Sequence, residues 1–201
     1  RDWYSFRPDG KYESWWGIEI MPRLNHANEA CRSFFAGEDG LCADHIKNGI
    51  GGWRLDVADE LCNDFLDDLR KSVKKADPEA LIIGEVWENA ADKIAYGYRR
   101  KYFLGEQLDS VMNYPLRTGI INFLLCGDAE NLAHTMTELY ACYPKFVSDC
   151  LMNIIGTHDT ERILTVLGGE SSDGYTNKEL SVKKMSPNER KMAVGLLKLA
   201  Y

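Results

Sequence analysis

Short apolar runs alternate with amphipathic stretches from about residue 43 onward, and this pattern constrains the fold of the 201-residue chain more than any other feature. Runs rich in Val, Ile, Leu and Trp predict strands at 52–57, 80–87, 107–113 and 150–156. Stretches with apolar residues three and four apart predict helices at 43–48, 60–75, 115–125, 129–142 and 160–167. Strands that alternate with helices are typical of a parallel α/β domain.

The two ends of the chain differ from this middle part. Residues 1–42 are rich in aromatic residues, Gly, Asn and Pro, and we predict a loop region there with one short helix near 27–35. The polar stretch at 168–185 predicts a surface loop, and Ser186, Pro187 and Glu189 then form the pattern of a capping box that opens a last helix. We therefore assign residues 43–201 to one α/β domain and residues 1–42 to a loop region that precedes it.

Composition excludes several functional classes. A net charge of −7 gives no basic surface for nucleic acid, and no apolar run approaches the roughly eighteen residues of a membrane span. Six cysteines are scattered without the spacing of a zinc site, and a chain of this size needs no disulfides, which favours the cytoplasm. Because the first residues, RDWYSFRPDG, show neither an initiator Met nor a signal peptide, we expect the chain to begin inside a longer protein.

Charged residues occur where the predicted strands end. Alternation places Arg54 and Asp56 on one side of their strand, and Glu85 follows the apolar row of the next strand. His158 and Asp159 directly follow the predicted strand at 150–156. Because parallel α/β folds gather their sites at the carboxyl ends of the strands, we expect these carboxylates to be neighbours.

Carboxylates in this arrangement suit glycosidic bond cleavage, in which one acts as nucleophile and another as proton donor. This chemistry assigns Asp56 as nucleophile, Glu85 as general acid/base and Asp159 as stabiliser, while Arg54 keeps its neighbouring carboxylate ionised. A single Arg/Asp pair in a strand is more often a structural ion pair, and only the joint occurrence at βα spacing favours function. An unrelated α/β barrel whose strand-end acids bind a metal is an alternative.

Three segments resemble the conserved motifs of the alpha-amylase family of retaining glycoside hydrolases. GWRLDVADE is similar to the family's nucleophile segment, GEVW to its acid/base segment and GTHDTER to the segment with the stabilising His-Asp. The earlier YESWWGIEIMPRLN resembles a stretch that cyclomaltodextrinases and neopullulanases carry ahead of the nucleophile strand. The resemblance implies a (β/α)8 barrel of the TIM-barrel type, of which this chain would supply strands four to seven.

The resemblance also implies roles for five further residues. Arg54 and His158 would contact the sugar at the cleavage point, Glu60 and Trp87 would lie near the neighbouring sugars, and Arg162 would support the site. No cofactor is required, although a structural calcium ion is compatible with this family. The implied partner is an α-glucan or malto-oligosaccharide, cleaved at α-1,4-glucosidic bonds as in cyclodextrins or pullulan.

Departures from the family pattern leave alternatives open. Gly51 stands where the family usually has an acid, Glu88 where it often has His or Asn, and the family's first signature, a strand that ends in Asn-His, is missing. An α-glucan transferase or a catalytically silent sugar-binding homologue would share most of these motifs. We expect the isolated 201-residue chain to be inactive as a glycosidase, because an incomplete barrel exposes unpaired strand edges and favours self-association.

Overall fold

The structure, a computed structural model, describes residues 2–105, 107–168 and 184–200. The chain divides into two compact units. Unit 1 comprises the residues up to Val86 together with Ala90–Val111, and unit 2 comprises Trp87–Asn89 and the chain from Met112 onward. Nearly all of the surface loop predicted at 168–185 lies outside the described residues.

Unit 1 contains a three-stranded parallel sheet. Its strands in chain order are β1 (Gly52–Leu55) and β2 (Leu81–Gly84), then, after a two-stranded antiparallel hairpin of β3 (Ile94–Ala95) and β4 (Tyr98–Arg99), β5 (Ser110–Val111). The sheet order is β1-β2-β5, with Gly52 opposite Leu81 and Ile83 opposite Ser110. The strands predicted at 52–57, 80–87 and 107–113 are confirmed in place and direction but are shorter, and the hairpin was not predicted.

Three helices accompany this sheet: α1 (Glu29–Ala36), α2 (Leu41–Lys47) and α3 (Asn63–Ala76). Helix α3 buries Leu66, Leu69 and Val73 on one face, as the apolar spacing predicted. It begins three residues later than predicted, because Ala58–Glu60 form a separate 3₁₀ turn after β1.

The N-terminal residues of unit 1 are ordered by isolated backbone pairs rather than by a sheet. Antiparallel bridges join Tyr4 to Leu24, Phe6 to Tyr12 and Ser14 to Pro22, and a 3₁₀ turn spans Trp15–Gly17. The predicted loop character is therefore correct, but the chain folds back on itself in a way that composition did not indicate.

Unit 2 is helical. The helices among its described residues are α4 (Tyr114–Cys126), α5 (Ala129–Cys142), α6 (Lys145–Asp149), α7 (Ile163–Leu167) and α8 (Pro187–Leu199). The predicted capping box is present, since the Ser186 hydroxyl accepts from the Glu189 amide and the Glu189 carboxylate accepts from the Ser186 amide. Within the described residues, no helix has the length and apolarity needed to cross a membrane.

The prediction of a strand at 150–156 is wrong. This segment makes one isolated parallel bridge, Met112 to Met152, and no ladder. The Asn153 amide donates to the carbonyl of Leu151 at 3.0 Å, and the Asn153 side-chain oxygen accepts from Asn113 Nδ2 at 2.9 Å. The backbone amide of Asn153 is thus paired outside a strand ladder, and the Asn153 side chain contacts a residue forty positions away.

Candidate active site

Arg54, on β1, binds the two carboxylates that the sequence assigns to catalysis. One terminal nitrogen of its guanidinium, Nη1, contacts Asp56 Oδ1, and the other, Nη2, lies 2.9 Å from Glu85 Oε2. Asp56 follows β1 and is exposed, whereas the Glu85 side chain, which follows β2, is only 3% exposed. The parallel register of β1 and β2 therefore brings the predicted nucleophile and the predicted acid to one arginine.

The backbone directly after Asp56 also holds the Glu85 side chain in position. Val57 has φ 36° and ψ 69°, a left-handed conformation that a β-branched residue adopts at a cost of roughly 1–3 kcal/mol. Its amide donates to Glu85 Oε2 at 2.8 Å, and the Ala58 amide donates to the Glu85 carbonyl at 3.0 Å. The strained turn thus orients a buried carboxylate through backbone groups.

Glu60 organises a second group of side chains in unit 1. Its Oε1 accepts from Trp16 Nε1 at 2.9 Å and from the Tyr96 hydroxyl. This hydrogen bond to the carboxylate is the main reason why the pKa of Tyr96 is raised. Glu60 also lines a cavity of about 630 Å³, together with residues of the N-terminal segment and the β3–β4 hairpin.

His26 lines the same cavity rather than contacting the catalytic pair. Burial, and then the charge of Arg23, lower its pKa, while the Glu60 carboxylate acts in the opposite direction. Sequence reasoning missed the hairpin residues Tyr96 and Tyr98 that face this cavity. The signal for them was the aromatic-glycine run AYGY, in which Gly97 with φ 80° permits a tight turn.

Unit 2 holds the other predicted site residues. His158 Nε2 lies 3.1 Å from Asp159 Oδ2, and both side chains are exposed. A local turn supports this loop, since Thr160 Oγ1 accepts from the Thr157 amide at 2.9 Å and Thr157 Oγ1 accepts from the Asp159 amide at 3.2 Å. Arg162 immediately precedes α7 and is exposed.

Trp87 also belongs to unit 2. Its ring stacks on that of Tyr114, with centroids 4.2 Å apart and an interplanar angle of 12°. Tyr114 is buried, while Trp87 remains 45% exposed and presents one flat apolar surface.

The structure therefore brings together Arg54, Asp56 and Glu85 within unit 1, and His158 with Asp159 within unit 2. The contribution of Asp159 to the same site stays a prediction. In the part of the chain that the structure describes, no three His, Cys, Asp or Glu side chains are arranged to hold a metal ion. Calcium binding stays an untested expectation.

Parallel strands that end in carboxylates bridged by an arginine define the class of the molecule, an α/β catalytic domain. The alpha amylase catalytic domain profile matches residues 9–186. The chain therefore belongs to the alpha-amylase family, and this membership implies that it is part of a (β/α)8 barrel.

Several known proteins are similar to this chain. It is 34% identical to an amylopullulanase of Thermoanaerobacter thermohydrosulfuricus over 92% of the chain and 14% of that protein. It is 34% identical to neopullulanase 2 of Thermoactinomyces vulgaris over 77% of the chain and 25% of that protein. The solved cyclic alpha-maltosyl-(1→6)-maltose hydrolase of Arthrobacter globiformis in complex with maltose superposes with a TM-score of 0.71 at 29% identity, over 82% of this chain and 37% of the other. The chain thus spans only a minor part of each of these three proteins.

Proposed function

We propose that this chain supplies the catalytic residues of a retaining glycoside hydrolase that cleaves α-1,4-glucosidic bonds in malto-oligosaccharides, cyclodextrins or pullulan. The observation that carries the proposal is the contact of one guanidinium, that of Arg54, with both Asp56 and the buried Glu85. Membership of the alpha-amylase family, and relatives named amylopullulanase and neopullulanase, support the choice of substrate class. The proposal includes the assignment of the chain to strands four to seven of the barrel.

In the first step, a carboxylate oxygen of Asp56 attacks the anomeric carbon of the sugar while Glu85 donates a proton to the departing glycosidic oxygen. The bond to the leaving sugar breaks, and a covalent glycosyl-aspartate forms. In the second step, Glu85 takes a proton from water as the water oxygen attacks the anomeric carbon and releases Asp56. Asp159 and His158 stabilise the sugar in this scheme, with Trp87, Glu60 and Arg162 around it.

The contacts of Arg54 add one requirement to this scheme. In the first step Glu85 must carry a proton to donate and Asp56 must be a free carboxylate, whereas in the structure both share the guanidinium of Arg54. We therefore infer that sugar binding draws Arg54 away from Glu85, leaving it paired with Asp56. Glu85 then remains buried, with the Val57 amide as a fixed neighbour.

The test uses the longer parent enzyme and the variant Asp56→Asn. We expect turnover of maltotriose to fall by several orders of magnitude, because the amide is a poor nucleophile of the same shape. A fluorinated α-glucosyl donor that accumulates the covalent intermediate should label Asp56, as read by peptide mass spectrometry. Asp92→Asn, which removes an exposed carboxylate paired with Arg99, is the matched control and should retain full turnover. Full turnover by Asp56→Asn, or labelling elsewhere, would contradict the assignment.

A further inference from the structure

The β3–β4 hairpin contacts the 3₁₀ turn at Ala58–Glu60 through side chains at its base. Lys93 precedes β3, and Arg100 and Tyr102 follow β4. The Arg100 amide donates to the Lys93 carbonyl at 2.8 Å, which joins the two ends of the hairpin. Arg100 and Tyr102 are buried, with exposed fractions of 6% and 1%. The base of the hairpin is therefore part of the packed interior of unit 1.

Arg100 binds the backbone of the 3₁₀ turn directly. Its Nη2 donates to the carbonyls of Ala58 and Leu61, which are the first residue of the turn and the residue that follows it. Hydrogen bonds from a charged donor are stronger than neutral ones, and burial limits competition from water. One guanidinium thus holds both ends of the turn.

Asp59, inside the turn, makes a second attachment to the hairpin. Its Oδ1 accepts from the Tyr102 hydroxyl, and its Oδ2 lies 3.1 Å from Lys93 Nζ. Burial, and then the hydrogen bond to Asp59, raise the pKa of Tyr102, so this hydroxyl keeps its proton and remains a donor. The Arg100 guanidinium also lies over the Tyr102 ring, with Cζ 5.0 Å from the centroid. The turn is therefore held by its backbone and by a side chain.

The same turn orients the predicted general acid/base, Glu85. The Val57 amide donates to Glu85 Oε2, and the Ala58 amide donates to the Glu85 carbonyl. Val57 is in a left-handed conformation, and such strained conformations persist only where the surrounding structure enforces them. Ala58 contacts Glu85 through its amide and Arg100 through its carbonyl. A shift of Ala58 would therefore also move the Val57 amide that Glu85 accepts from.

We propose that Arg100 is a positioning residue for Glu85, acting through the 3₁₀ turn and without contact to the reacting atoms. Arg54 holds the predicted nucleophile Asp56 from β1, so the loss of Arg100 affects Glu85 more than Asp56. The proposal rests on the proposed function, because that function assigns the proton transfer to Glu85.

The first test measures kcat/KM of the longer parent enzyme, which depends on the steps up to the covalent intermediate. We expect Arg100→Met to lower this value about ten-fold for maltotriose and less than about two-fold for an activated aryl glycoside, because only the departing sugar oxygen needs a proton from Glu85. Arg100→Lys, which keeps a charged donor, should recover part of the loss.

Arg32→Met is the matched control. It removes an arginine of α1 that binds Asp68 and the His26 carbonyl, so it costs stability in unit 1 without touching the turn. The ratio of the two kcat/KM values should stay that of the unmodified enzyme. Tyr102→Phe removes one hydroxyl, is the milder variant if Arg100→Met fails to fold, and should shift the ratio in the same direction by about two-fold.

The second test does not depend on catalysis. Hydrogen exchange of the 201-residue chain, followed by NMR, reports the opening of single backbone amides. We expect Arg100→Met to speed exchange at Val57 and Ala58 about ten-fold, whereas Arg32→Met should leave these two amides unchanged.

Equal losses on the two substrates in the Arg100 variant would overturn the proposal, because a merely structural arginine affects both alike. Unchanged exchange at Val57 and Ala58 would also overturn it. The proposed function fails on a different result, namely full turnover of maltotriose by the Asp56→Asn parent. The exchange experiment still reports whether Arg100 holds the turn in that case, so the two failures are distinguishable.

Discussion

Replacement of Arg54 by Met should destabilise unit 1 through Glu85 rather than through Asp56. Met has a similar apolar stem but no charge, so the substitution removes both ion pairs at one time. Glu85 is left buried without that cation, whereas Asp56 is exposed and is solvated by water. The main cost is therefore the loss of the Arg54–Glu85 contact.

The magnitude follows from the geometry. At an effective dielectric constant of about 20, opposite charges 2.9 Å apart attract by about 6 kcal/mol, and part of this is offset by the cost of removing both groups from water. Breaking a buried pair costs about 3–5 kcal/mol, and we expect the lower end because Arg54 is 29% exposed and the Val57 amide remains bound to Glu85. A loss of about 3 kcal/mol should lower the urea midpoint by about 1–1.5 M.

Urea unfolding of the 201-residue chain, followed by circular dichroism, measures this change. The matched control is Arg99→Met, which removes an exposed ion pair with Asp92 and should leave the midpoint nearly unchanged. The double variant Arg54→Met with Glu85→Met should recover much of the loss, because no buried charge is then left without a partner. If Arg54→Met shifted the midpoint no further than Arg99→Met, the buried pair would not be the stabilising element inferred here.

Three more predictions concern chemistry. In the parent enzyme, Glu85→Gln should reduce maltotriose hydrolysis far more than hydrolysis of a substrate with an activated aryl leaving group, because only the departing sugar oxygen of maltotriose needs a proton. Equal losses in the two assays would argue against an acid role for Glu85. The isolated 201-residue chain should show no hydrolysis of cyclodextrin or maltotriose, because an incomplete barrel leaves strand edges unpaired. For the same reason it should self-associate on size-exclusion chromatography. Robust turnover by a monomer would refute the expectation of an inactive chain. Burial raises the pKa of the Cys42 thiol to about 11, so iodoacetamide near neutral pH should modify the exposed Cys126 and spare Cys42 until the chain is denatured. Peptide mass spectrometry measures the modification of each cysteine. Early labelling of Cys42 would contradict its burial.

The sequence by itself determined the parallel sheet, the amphipathic face of α3 and the capping box of α8. These features depend on local spacing, which residues such as Leu66, Leu69 and Ser186 carry along the chain. It also determined that Asp56 and Glu85 come together, because consecutive parallel strands place their carboxyl ends at one edge.

Other features depend on contacts between residues far apart in sequence, and only the tertiary structure decided them. The apolar run at 150–156 reads as a strand, yet Asn113 and Asn153 pair their side chains and the segment stops at one bridge. Tyr96 of the hairpin and the N-terminal Trp16 meet at Glu60, which lies 44 residues from Trp16 and 36 from Tyr96. Periodicity reports only which face of an element is apolar, whereas a hydrogen bond between distant side chains depends on the path of the whole backbone between them.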